Sequence, residues 1–174
     1  MIGTLRTTPN LWVQRLCAAY VEIFRNIPLL VQMFLWYFVL PELLRGAAGT
    51  WMKQLPPPWS SYFPAVLCLG FYTSVRVAEQ VRAGIQSLPR GQMMAGTAIG
   101  LTLAQSYRLV VLPQSFRIIL PPLTSEFLNC IKNSSVALTI GVMELTARAR
   151  AMQEFSFQVF EAFAAATVIY LLAN

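Results

Sequence analysis

The residues best placed to do chemistry are ionisable groups set in apolar surroundings. Arg76 and Glu79 lie three apart at the end of the apolar run YFPAVLCLGFYTSVRVA, residues 62–78, and that spacing puts them on one helix face. Ser125, Asn129 and Lys132 run i, i+4, i+7 in a second apolar stretch, bordered by Glu126 and Asn133. Ionisable groups in such segments are costly and usually face a bundle interior. Two chemistries fit each group. Arg76 and Glu79 can neutralise each other, or the Arg76 guanidinium can take a substrate carboxylate bidentately. The stripe through Ser125, Glu126, Asn129 and Lys132 can line a path for a polar solute, or Glu126 and Lys132 can be neutralised by neighbouring helices.

Other chemistry is removed by composition. The chain has no His, and its seven acidic residues are all Glu, so imidazole acid–base catalysis, His metal sites and Asp-held magnesium are absent. Cys17, Cys68 and Cys130 are far apart, without CxxC spacing, and read as small buried hydrophobes. There is no GxxxxGK[ST] phosphate loop, so this chain does not hydrolyse ATP by that route. The expectation is a protein that is not an enzyme and has no metal or cofactor.

The elements that must position these groups are membrane-like. Of 174 residues, 56% are hydrophobic and 11% charged, with mean hydropathy +0.56; soluble domains carry about 25% charged residues. The formal charge of +6 comes from 13 dispersed Lys and Arg, which argues against nucleic acid and fits basic residues flanking spans. Span candidates are residues 27–44, 62–78, 118–131 with 135–147, and 155–173. Pro121 and Pro122 are expected to break the third, and Lys132 and Asn133 to join its two halves. Residues 45–60, with prolines at 56–58, read as a loop, and its Trp51 and Trp59 as membrane-surface residues. With no alternating strand pattern, an all-α polytopic transmembrane bundle over residues 1–174 follows.

Between the spans lies a polar element, residues 82–113. Its core MAGTAIGLTLAQSYRLVVLP, residues 94–113, spaces Gly100, nine residues, Val110, one residue, then Leu112 and Pro113. Gly100 allows a tight turn between short helices, the stretch after it is amphipathic, and Pro113 is expected to end the element. This resembles the cytoplasmic loop of ABC importer permeases, Glu-Ala-Ala, three residues, Gly, nine residues, Ile, one residue, Leu-Pro. Ala95, Gly100, Leu112 and Pro113 match; Met94 replaces the glutamate and Gly96 the second alanine. YVEIFRNIPLLVQMFLWYFVLPELL, EQVRAGIQSLPRGQ and LPPLTSEFLNCIKNSSVALTIG extend the likeness to the polar amino acid subfamily. YTSVRVAEQVRAGIQSLPRGQ is most similar to glutamate/aspartate permeases.

The resemblance implies an inner-membrane, multi-pass subunit of a binding-protein-dependent importer in the bacterial plasma membrane. It implies an ATP-binding cassette subunit docked on the loop, with Gln105 and Arg108 available for polar contacts. It further implies a second permease subunit, homologous or identical, and an extracytoplasmic amino-acid-binding protein. Residues 82–113 and the segment around Arg6 and Arg15 would be cytoplasmic; 45–60 and 148–154 would be outside. The family has a further N-terminal span and a short C-terminal tail. MIGTLRTTPN contains no span and VIYLLAN stops inside an apolar run, so truncation at both ends is expected. The alternatives are a stand-alone channel or ion-coupled transporter, whose loop merely rests on lipid, and an inactive truncated remnant.

Overall fold

Apolar residues at helical spacing, without alternating runs, leave each segment to satisfy its own backbone groups. The computed structural model describes residues 2–5 and 10–173 and, among them, contains helices and no strand. Arg6, expected on the cytoplasmic side, lies outside the described residues. The helices are α1 (Ile2–Leu5), α2 (Leu11–Asn26), α3 (Leu29–Phe34), α4 (Leu40–Leu43), α5 (Ala47–Lys53), α6 (Trp59–Gln86), α7 (Arg90–Ala98), α8 (Leu103–Ser106), α9 (Leu112–Asn133), α10 (Leu145–Ser156) and α11 (Val159–Ala173). A π-helical turn, Leu35–Val39, joins α3 to α4; another, Tyr107–Val111, joins α8 to α9; a 3₁₀ segment, Ser134–Ile140, follows α9. By length and composition, no single described helix can cross a membrane alone; Leu11–Asn26 and Leu29–Leu43 pass only as a pair.

The chain forms two compact units, Met1–Asn26 with Thr73–Phe127 and Ile27–Tyr72 with Leu128–Asn174. In the first, Val21 of α2 is buried with Val75 and Ala78 of α6, and the Tyr20 hydroxyl lies 2.7 Å from Ser74 Oγ. The second half of α6 then meets α9. A Cβ added to Gly84 would lie 2.2 Å from Ile119 Cγ1, so only a glycine permits this approach. Further along, Arg76 Nε lies 3.7 Å from Glu126 Oε1. Going from 84 back to 76 covers about 12 Å of α6 and from 119 on to 126 about 10 Å of α9, so the two helices run in opposite directions here.

In the second unit, Leu29 and Met33 of α3 pack with Ala65 and Cys68 of α6 and with Ala137, Ile140 and Val142. Gly141, at φ +85°, stops the 3₁₀ segment. Glu144 then caps α10, accepting from the N–H groups of Thr146 and Ala147 at 2.8 and 2.7 Å. The Tyr170 hydroxyl of α11 donates to the same carboxylate at 3.1 Å.

Several boundaries differ from the sequence expectations. Residues 45–60 are not all loop: Gly46, at φ +82°, turns the chain into α5 before the prolines. The span expected at 62–78 is part of the 28-residue α6, which carries Arg76, Glu79 and Arg82 without a break. Pro121 and Pro122 do not break α9; both rings lie on its exposed side, and the helix continues through them. The piece expected at 135–147 divides at Gly141, and 148–154 lies within α10, where Arg150 Nε bonds Glu154 Oε1 at 2.9 Å.

Candidate functional site

The turn after α7 is built by backbone hydrogen bonds. Gly100 adopts φ +83°, its N–H bonds the Thr97 carbonyl at 3.0 Å, and the Leu101 N–H bonds the Gly96 carbonyl at 3.1 Å. This pair of bonds is a Schellman motif with glycine at the left-handed position. An added Cβ at Gly100 would meet nothing within 4 Å, so the need for glycine is conformational and not a matter of space. Two residues on, Thr102 caps α8. Its Oγ1 accepts from the Gln105 N–H at 3.3 Å, while Gln105 Oε1 accepts from the Thr102 N–H at 2.9 Å, a reciprocal capping box. Gln105 is therefore engaged in shaping the turn, a role its expected availability for polar contacts did not include. Arg108 is exposed on the π-helical turn, and Ala95, Leu112 and Pro113 are exposed as well. Pro113 does not end the element: the wider turn over Tyr107–Val111 precedes it, and the helix runs on to Asn133.

The replacement of the family's second alanine by Gly96 has a physical reason here. Ser106 is fully buried, and a Cβ on Gly96 would sit 2.8 Å from its Oγ and 3.3 Å from its Cβ. The α7 backbone lies against a side chain that alanine would crowd. Met94, in the glutamate position, is 67% exposed, with Ile99, Leu103, Leu109 and Phe116 also exposed. The element thus combines a stiff elbow with a run of uncovered apolar residues.

Arg76 and Glu79 are drawn toward different partners. Arg82 grips Glu79 through Nε, at 2.9 Å, and Nη2, and this hydrogen bond pushes Arg82 further above its ordinary range. Arg76, half-exposed, pairs with Glu126, whose carboxylate is 6% exposed. Their 3.7 Å separation is an ion pair and too long for a hydrogen bond. Glu126 Oε1 has no hydrogen-bond partner among the described residues. Ser125, Asn129 and Lys132 share α9 with Glu126, and Ser125 Oγ reaches the Pro121 carbonyl at 3.5 Å. Sequence reasoning did not find the Arg76–Glu126 pairing, which no local spacing encodes. It also missed the capping box and the Gly96–Ser106 fit. T-L-A-Q is a readable capping signature; the fit could be found only by comparing positions ten apart.

The chain is similar to known proteins over nearly its whole length. The family model of binding-protein-dependent transport system inner membrane components matches residues 1–174. The glutamate/aspartate import permease protein GltJ of Escherichia coli K12 is 50% identical over 173 residues, spanning 99% of this chain and 70% of that protein. A probable glutamine ABC transporter permease protein, GlnM of Bacillus subtilis 168, is 35% identical over 98% of this chain and 74% of its own length. A crystal structure of an amino acid ABC transporter with histidines superposes at TM-score 0.81 with 30% identity, covering 98% of this chain and 74% of that one. On these matches the chain belongs to the binding-protein-dependent inner membrane transport components and is an ABC amino acid permease.

Proposed function

We propose that this permease is a multi-pass subunit that imports acidic amino acids, glutamate and aspartate, driven by ATP hydrolysis on a partner. The observation that carries this reading is the 50% identity to a glutamate/aspartate permease over 99% of the chain. The partners are an ATP-binding cassette subunit, a second permease subunit and an extracytoplasmic binding protein. Residues 82–113 are the cytoplasmic coupling element. Ala95, Leu112 and Pro113, with the exposed apolar residues beside them, dock on the ATPase; Arg108 adds polar contacts; Gly100 and the Thr102–Gln105 cap hold the element's shape. Arg76 receives the substrate's side-chain carboxylate, supported by its half-exposed guanidinium. Glu126 and Glu79 hold the arginines of this region in place, and Ser125, Asn129 and Lys132 line the path.

The test uses proteoliposomes and a binding protein that accepts both glutamate and glutamine. Arg76→Gln should reduce glutamate uptake about ten-fold or more relative to glutamine, the loss of one charge-assisted hydrogen bond. Because Glu126 would be left buried without its partner, the Arg76→Gln/Glu126→Gln protein is measured beside it to separate folding from selection. Equal loss for both amino acids in the double variant would refute the selector role.

A further inference from the structure

A recess in the first unit lies at the start of the coupling element, and the reading above gives it no ligand. Gln14, Arg15 and Ala18 of α2 and Arg82 and Gln86 of α6 line it, with an open volume of about 240 Å³. Residues 14, 15 and 18 share one face of α2, and 82 and 86 one face of α6, so polar groups from two helices converge on a common space. The Arg15 guanidinium is exposed and makes no hydrogen bond or ion pair among the described residues. Arg82 gives three N–H groups to Glu79 and Gln86, and a guanidinium has five. Two donors remain on Arg82, and the bond to Gln86 fixes its plane.

The neighbouring face of α2 has a different character. Trp12, Leu16 and Ile23 are 75%, 71% and 58% exposed. At 100° per residue they fall within a narrow sector of the helix, beside the sector of Arg15. A tryptophan and two aliphatic residues next to arginine donors suit the boundary between acyl chains and headgroups.

We propose that this recess holds a phosphate-bearing anion between α2 and α6. The donors of Arg15, Arg82 and Gln86 line it from two different helices. A planar carboxylate uses one guanidinium fork; a tetrahedral phosphate offers oxygens in several directions. Glu79 neutralises part of the Arg82 charge, so Arg15 supplies the net attraction. Two sources carry this chemistry, the headgroup of an anionic phospholipid and free inorganic phosphate.

The experiment measures binding on the protein purified in its transporter complex, so its outcome is separate from that of the uptake assay. One arm uses nanodiscs of phosphatidylcholine with and without phosphatidylglycerol. The other uses inorganic phosphate in detergent against chloride at equal ionic strength. Thermal midpoint and lipid retention by native mass spectrometry are read for wild type, Arg15→Gln, Arg15→Lys and Arg25→Gln. Arg25 lies near the far end of α2 and removes the same charge outside the recess. Arg15→Gln should weaken anion binding about five-fold, the effect of one basic residue near the surface. Arg15→Lys should retain most of it, and Arg25→Gln all of it. A response to phosphatidylglycerol alone assigns the site to lipid; a response to inorganic phosphate assigns it to a soluble anion. No response in either arm overturns the proposal. So does equal binding by wild type and Arg15→Gln, or equal loss in Arg25→Gln, which would mean diffuse charge attraction without a site.

Discussion

Gly96→Ala tests the fit between α7 and Ser106. The new Cβ would meet Ser106 Oγ at 2.8 Å, Ser106 Cβ at 3.3 Å and Leu101 Cδ1 at 3.7 Å. Rotating the serine can move its hydroxyl, but the contact with its Cβ persists, so the backbone must yield by a few tenths of an ångström. Overpacking of this kind costs about 1–3 kcal/mol, and alanine in place of a helical glycine returns about 1 kcal/mol. The expected net loss is therefore about 0–2 kcal/mol. Ser106→Ala removes a buried hydroxyl that has no hydrogen-bond partner among the described residues, so by itself it should be neutral or slightly stabilising. In that background Gly96→Ala loses the 2.8 Å clash and keeps the 3.3 Å contact with Cβ and the ordinary one with Leu101, so it should cost less, with a coupling of about 1 kcal/mol in the double-mutant cycle. Thermal unfolding of the four proteins reads this as about 2–4 °C per kcal/mol. Strict additivity of the two substitutions, or a Gly96→Ala protein more stable than wild type by the full helix-propensity gain, would refute the steric account.

Other outcomes follow from the same geometry. Gly100→Leu should cost about 1–2 kcal/mol because a side chain disfavours the left-handed region, and it should leave ATP hydrolysis running with reduced uptake; Gly100→Asn, which tolerates that region, should retain more coupling. Normal uptake with Gly100→Leu would refute the elbow's role. Single cysteines at Gln54 and Ala104, both exposed, in a background lacking the native three, should react with an impermeant reagent from opposite sides of the membrane. Labelling from one side for both would overturn the proposed topology. Phe157 ends α10 at φ +59°, so Phe157→Gly should stabilise the chain by about 1 kcal/mol, measured as a raised thermal midpoint.

The helical class was legible because it follows from the apolar runs and the lack of alternation. The elbow was legible because glycine at a helix end is a local conformational requirement that one residue announces. Boundaries set by competing local signals were less so. Pro121 and Pro122 read as a break, yet α9 carries both on its exposed side without interruption. At Gly141 and Glu144 the opposite happened: a glycine stop followed by an acidic cap divides an apolar stretch that composition alone read as continuous. The Arg76–Glu126 pair lay beyond local reading. Fifty residues separate the partners, and the Gly84–Ile119 approach that brings α6 and α9 together depends on an absent side chain. Arg76 with Glu79 satisfied the spacing rule, but Arg82 satisfies it equally from the other side, and the structure gives Glu79 two N–H groups of Arg82.

The coupling role proposed for residues 82–113 places a mechanical demand on them, and the backbone devices bear on it. An element pushed at one end transmits displacement only if it resists bending between contact and membrane helix. The Schellman bonds after α7 and the Thr102–Gln105 box each fix one end of the elbow. The Gln114 Nε2 donor reaches Gln92 Oε1 at 3.2 Å and ties α7 directly to α9. Between them, Ser106 seats against the glycine-thinned face of α7. The π-helical turn Tyr107–Val111 follows immediately, and wider turns of this kind are recurrent at functional sites. A push on α7 therefore has two routes to α9, through the elbow and across the α7–α9 contact. Loss of the Gln92–Gln114 bond should be tolerated while Gly100 is intact, and the effects of Gln114→Ala and Gly100→Leu on uptake per ATP should exceed their sum when combined. Simple additivity would mean that the two routes do not share the load.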